Sequence, residues 1–169
     1  MQTRTQFRLT AALALWATAT LPASAASAVA ASTSLTRSVD VKGSPAVVWA
    51  AIGPYCAIAE WHPAIASCEA DGKSPPTRTL VTKDNAMFVE LETARSDAKH
   101  LYSYTFIKTP LPVSHYMSTL KVTPKGAGMS TVTWSSSYDV EPANIKAAND
   151  ALVGIYESGL ASIKAMLDR

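Results

Sequence analysis

The order of segments constrains this chain most: alternating, strand-like stretches run from Thr77 to Tyr138, and one long amphipathic stretch then runs to the end. From Ile145 onward, Ala148, Leu152, Ile155, Tyr156, Gly159, Ile163, Met166 and Leu167 recur at spacings of three and four, as residues on one helical face do. Lys146, Asn149, Asp150, Glu157, Lys164 and Asp168 take the opposite face. The 28 residues from Pro142 to Arg169 predict a rod of roughly 40 Å, long enough to cross a whole sheet. A curved antiparallel sheet folded round such a rod seldom closes without leaving a space, and that space is where function is expected.

The first residues stand apart from this pattern. Arg4 and Arg8 precede an uncharged apolar run from Leu9 to Leu21, and Pro22 leads into Ala23-Ser24-Ala25, a small-x-small cleavage pattern. Residues 1–25 therefore read as a secretory signal peptide, with Ala26-Ser27-Ala28 offering a second cut. The apolar run is shorter than the about 20 residues a bilayer span needs, so no stable membrane insertion is expected after cleavage. The expected mature chain, residues 26–169, is a single domain that is periplasmic or secreted.

Cleavage also changes the charge. The formal +2 comes from Arg4 and Arg8, and without them 13 basic side chains balance 13 acidic ones. The remaining lysines are scattered among acids with no basic run, which argues against nucleic acid or an anionic membrane as partner. Cys56 and Cys68, an even pair in an oxidising compartment, are expected to form a disulfide worth about 2–3 kcal/mol. Two buried thiols are the alternative, because spacing does not show that side chains face each other.

Along the mature chain, Leu35 to Lys42 alternates as a half-buried first strand, and the alanine-serine stretch before it reads as a loose terminus. Ser44-Pro45 supplies an N-cap and a first-turn proline for a short helix that Gly53-Pro54 stops. Tyr55 to Trp61 predicts a second short helix. Strands are then expected over 65–69, 78–82, 87–93, 99–108, 114–123 and 130–138, with Lys83-Asp84-Asn85 and Lys125-Gly126-Ala127-Gly128 as turns. The fold class is thus α+β: a seven-stranded curved antiparallel sheet wrapped round a long C-terminal helix, with two short helices after the first strand. This is the helix-grip arrangement.

Trp61-His62-Pro63, Glu90-Leu91-Glu92, Tyr102-Ser103-Tyr104, Pro110-Leu111-Pro112, His115-Tyr116 and Val132-Thr133-Trp134-Ser135, in that order, resemble the bacterial polyketide cyclase/dehydrase-type branch of the START and Bet v 1-like superfamily over residues 34–169. The resemblance implies an apolar cavity between sheet and last helix. It extends to the plant abscisic acid receptors, and in that comparison Glu90, Tyr104, Tyr116, Trp134, Leu152 and Tyr156 fall at cavity-facing positions. Loops 83–86 and 109–113, the latter with Leu111, fall at the mouth. Those receptors hold a ligand carboxylate with a cavity lysine, whereas this chain has Trp61 or His62 near the matching place. Strand periodicity agrees in part: Tyr116, Leu120 and Val122 share a face, as do Tyr102, Tyr104 and Phe106, and Val132, Trp134 and Tyr138.

Glu90 is the most interesting titratable residue. Facing the cavity it would need a proton, a hydrogen bond or a partner, and a raised pKa would suit it to general acid-base work. Alternation alone instead places Val89 and Leu91 inside, with Glu90 and Glu92 in water. His62 is the other weak catalytic candidate, with Tyr116 or Tyr104 as partner, and His115 is weaker still. No metal is expected, because His62, His100 and His115 have no ligand spacing on one element. No nucleophile motif, phosphate loop or cofactor signature is present.

Three functions fit. The chain binds a small hydrophobic or amphiphilic molecule; or it is a cyclase or dehydratase using Glu90 with a tyrosine or His62; or it is a periplasmic accessory protein of an alcohol-oxidation system, acting on a protein partner through its surface. A filled core with no cavity would favour the last.

Overall fold

The computed structural model describes residues 30–169, so the expected signal peptide and its cleavage sites lie outside the described residues. Seven strands form one sheet: β1 (Ala31–Lys42), β2 (Ile65–Ala70), β3 (Thr77–Thr82), β4 (Met87–Ser96), β5 (Leu101–Lys108), β6 (Ser114–Gly126) and β7 (Met129–Val140). Their order is β1-β7-β6-β5-β4-β3-β2, and every neighbouring pair is antiparallel. The two edge strands are therefore consecutive in the chain. Helices α1 (Pro45–Ile52) and α2 (Ile58–Trp61) bridge them, and α3 (Ile145–Leu167) ends the fold.

Several boundaries differ from expectation. Residues 31–34 are not a loose end but pair with β7, Ala31 opposite Val140 and Ser34 opposite Ser137, because the long β7 offers partners beyond Leu35. The second helix is a single turn from Ile58; β4 runs on to Ser96, beyond the expected end at Thr93, and a 3-10 turn at Asp97–Lys99 takes Lys99 from the strand expected over 99–108. The last helix begins at Ile145, after a 3-10 turn at Pro142–Asn144. Its buried face holds Leu160 as well as Ala148, Leu152, Tyr156, Gly159 and Ile163. Ser44 sits at the N-cap of α1 but makes no side-chain cap bond, and Pro45 alone carries the start signal.

Helix α3 is fastened to the β1 edge by polar contacts. Arg37 Nε donates to Glu157 Oε1 at 2.9 Å, Lys164 Nζ to the Asp40 carbonyl at 2.9 Å, and the Lys42 amide to Asp168 at 3.0 Å. These exposed bonds add little energy individually but set the helix against one margin of the sheet. Two arginines tie the α1–α2 region down: Arg95 donates to the Gly53 carbonyl at 3.0 Å, and Arg78 donates to the Tyr55 carbonyl. Both acceptors lie just past the end of α1, where carbonyls lack helical partners and attract cations. Cys56 and Cys68 are bonded, with a Cα separation of 5.4 Å, joining the segment before α2 to β2.

Candidate functional site

A cavity of about 400 Å³ lies between the sheet and α3. Ile58, Ile65, Leu80, Phe88, Phe106 and Leu152 give it a mostly apolar wall, and Asp84, Ala86, Pro110 and Leu111 bring two loops to it. Of the expected binding residues, His62, Glu90, Tyr104, Leu111, Tyr116, Trp134, Leu152 and Tyr156 all line this space. Trp61 does not. It is buried behind the wall, edge-on to Trp134 with ring centroids 5.7 Å apart.

Glu90 points inward and is only 4% exposed, which corrects the alternation reading of β4. Phe88, Glu90 and Glu92 share the inner face, and Val89 and Leu91 lie half-buried on the outer one. The cause is Arg78, whose pairing with Glu90 the pattern of β4 alone does not reveal. It stands opposite Glu90 in the β3–β4 register and is wholly buried. Its Nε donates to Glu90 Oε2 at 2.7 Å, and Nη2 lies 2.6 Å from the same oxygen without hydrogen-bond alignment. The guanidinium also lies over the Tyr55 ring at 4.1 Å and near those of Tyr104 and Tyr102 at 5.3 and 5.6 Å. These negative ring faces help hold a charge out of water.

Burial pushes the Glu90 carboxyl above its usual pKa, and Arg78 pulls it only part of the way back. Burial works against the Arg78 charge too, but Glu90 and the surrounding phenols outweigh it and the guanidinium stays protonated. Glu90 Oε1 has no protein hydrogen-bond partner among the described residues, and the side chain borders the cavity. Glu92 is inward as well, 3.4 Å from Arg95, and does not reach the cavity.

Polar tips of the aromatic wall form one network. Trp134 Nε1 donates to Tyr104 Oη at 3.0 Å and to Ser118 Oγ at 3.1 Å. Tyr156 Oη lies 2.9 Å from Ser118 Oγ and 2.7 Å from Tyr116 Oη, and Ser118 donates to the Ser135 carbonyl at 3.0 Å. The Tyr156 ring stacks on Trp134 at 4.3 Å, and Phe106 stacks on Tyr116 at 3.9 Å. Burial holds the Tyr104 and Tyr116 phenols well above their usual pKa and raises Tyr156 too, so all three stay protonated at neutral pH. Ser118, the hub of this network, was missed in the sequence although it shares the strand face of Tyr116 and Leu120.

His62 is spoken for. Its Nδ1 accepts from the Ala64 amide at 3.2 Å, so Nε2 carries the proton and donates to the Ile155 carbonyl at 3.0 Å. Burial lowers its pKa, and the bond to Ile155 only partly opposes this. A neutral imidazole with both nitrogens engaged by backbone fastens α2 to α3 in this arrangement. His115 is exposed and 2.8 Å from Asp139, away from the cavity wall. Among the described residues no three His, Cys, Asp or Glu side chains converge as a metal site would require, and no helix is long and apolar enough to cross a membrane.

A helix-grip fold with an interior, largely apolar cavity defines the START/Bet v 1-like class. The family model for polyketide cyclase/dehydrase and lipid transport proteins matches residues 32–168, and the chain belongs to that family. No curated protein matches the chain. Among solved structures it is similar to the protein XoxI from Bacillus cereus, with 27% identity, 79% of this chain and 94% of that one covered, and a TM-score of 0.75. Zhui aromatase/cyclase from Streptomyces sp. R1128 shares the fold at 13% identity, with 82% and 95% covered and a TM-score of 0.70. Norcoclaurine synthase from Thalictrum flavum, solved with dopamine and hydroxybenzaldehyde, shares it at 16%, with 81% and 87% covered and a TM-score of 0.66.

Proposed function

We propose that this chain is an exported protein that binds a small hydrophobic or amphiphilic molecule between the sheet and the C-terminal helix. The observation that carries this reading is the cavity itself: about 400 Å³, walled mainly by apolar side chains, with the Glu90 carboxyl and the phenols of Tyr104, Tyr116 and Tyr156 bordering it. A space of that size falls within the range that encloses small ligands, and its few polar groups suit orientation of a bound molecule. The family's description, which includes lipid transport, points the same way. The Cys56–Cys68 bond and the signal-peptide pattern of residues 1–25 support a periplasmic or secreted location.

One observation favours a second reading, a cyclase or dehydratase: Glu90 has an oxygen without a protein partner at the cavity wall. In that reading Glu90 moves protons on a bound ketone or polyol and a tyrosine assists. The accessory reading loses its distinguishing feature, a filled core.

Native mass spectrometry of the exported protein, followed by solvent extraction, tests the proposal. A small apolar or amphiphilic molecule released on denaturation is the expected result. Protein that carries nothing and takes up no hydrophobic probe contradicts it. Conversion of the extracted molecule on re-addition would favour the enzyme over the carrier.

A further inference from the structure

The hydrogen bonds around Trp134 admit one proton assignment that satisfies every contact. A carbonyl cannot donate, so the single Ser118 hydroxyl proton goes to the Ser135 carbonyl. Ser118 Oγ then accepts from Trp134 and from Tyr156, and Tyr156 Oη in turn accepts from Tyr116. Tyr104 receives the other share of the Trp134 N–H. Its own hydroxyl proton meets no acceptor among the described residues, and its side chain borders the cavity. The wall therefore offers one unspent donor, Tyr104 O–H, together with an unspent acceptor, Glu90 Oε1.

Charge sharpens the picture. Glu90 and Asp84 line the cavity, whereas no lysine or arginine does so among the described residues. Arg78, the cation paired with Glu90, is wholly buried and already engaged by Glu90 and the Tyr55 carbonyl. A bound carboxylate would enter a space bordered by two acids, with no cation free to meet it. An ammonium would suit Glu90 but leave the Tyr104 proton without an acceptor. A hydroxyl both accepts and donates.

We propose that the cavity selects a flat, uncharged molecule bearing an alcohol or phenol hydroxyl, which accepts from Tyr104 and donates to Glu90, and that it rejects carboxylates of the same shape. This deepens the binding reading above and rests on it. The stacked pairs Trp134–Tyr156 and Phe106–Tyr116 supply the broad apolar surfaces such a ring would lie against.

Calorimetric titration at neutral pH with three compounds of one shape provides the test: 2-naphthalenemethanol, naphthalene and ionised 2-naphthoic acid. The alcohol is expected to bind tighter than either of the others by on the order of tenfold. Tyr104→Phe should bring the alcohol towards naphthalene, while the Trp134 N–H keeps Ser118 Oγ as its acceptor. Equal binding of alcohol and naphthalene, or binding of the acid as tight as that of the alcohol, overturns the inference while leaving the cavity a binding site. Failure of all three to bind the wild type overturns the binding reading and this inference with it. The wild-type series decides by itself if Tyr104→Phe does not fold.

Discussion

Gly159 on the last helix faces His62 so closely that a Cβ there would stand 2.8 Å from His62 Cδ2, and 2.9 Å from Trp134 Cζ3. Both neighbours are buried rings, and His62 is further held by two backbone groups. Neither can give way. Gly159→Ala should therefore destabilise by about 1–3 kcal/mol through overpacking, although alanine is the better helix former by about 1 kcal/mol. Gly154 on the same helix is exposed, with nothing within 4 Å of an added Cβ. Gly154→Ala should stabilise by about 0.5–1 kcal/mol. Denaturant unfolding of the two variants checks this, and shifts of the same sign would refute the packing account.

Arg78 and Glu90 are expected to behave as a unit. Arg78→Met leaves a buried carboxylate unpaired and should cost about 3–5 kcal/mol at neutral pH, whereas Arg78→Met combined with Glu90→Leu should recover most of that. Glu90 has a folded pKa above its ordinary 4.5, so its contribution to stability is fully present below that value and is lost as pH rises through the folded one. Without Arg78 the folded value rises further. The single variant's deficit should accordingly shrink on acidification towards pH 4.5. Unfolding curves of both variants across pH measure this; a deficit independent of pH would count against a buried ionised Glu90.

His62 should titrate below its ordinary 6.5, because burial disfavours its charge. For a depressed folded pKa the stabilising contribution is present above 6.5 and lost as pH falls through the folded value. An NMR titration of the His62 ring protons reads the midpoint directly. A midpoint at or above 6.5 would mean that the imidazole is not held neutral between Ala64 and Ile155.

Export and the disulfide can be checked together on secreted or periplasmic material. N-terminal sequencing should find a start near Ala26, and alkylation without reductant should label neither Cys56 nor Cys68. Replacing both by serine should cost about 3 kcal/mol, the entropy regained by the opened loop in the unfolded chain. An intact Met1, or ready labelling of both thiols, would refute the exported, bridged form.

Much of this architecture was legible as periodicity: the strands, the two short helices and the stripe of α3 follow from spacings of two and of three to four. The Arg78–Glu90 pair was legible only across two strands. A turn centred on Asp84 sets Leu80 opposite Phe88 and Arg78 opposite Glu90, but β4 taken alone assigns its valine and leucine to the core. His62 was beyond such reasoning, since its neutral, engaged state depends on a carbonyl 93 residues away. Ser118 shows the same limit. Its inward face followed from alternation, while its place at the centre of the phenol network depends on Trp134 and Tyr156 converging from other elements.

Leu152 is the most direct probe of the cavity, because it borders that space from α3 and is only 1% exposed. An indole added in a solidly packed core costs about 1–3 kcal/mol, whereas an indole that enters an existing void costs little and occupies the ligand's space. The decisive measurement is native mass spectrometry of wild type and Leu152→Trp prepared identically, with the unfolding midpoint of each recorded alongside. A ligand-binding cavity predicts that the variant melts close to wild type and has lost the bound molecule. A variant that melts far lower, or that keeps the molecule at the wild-type level, would contradict it.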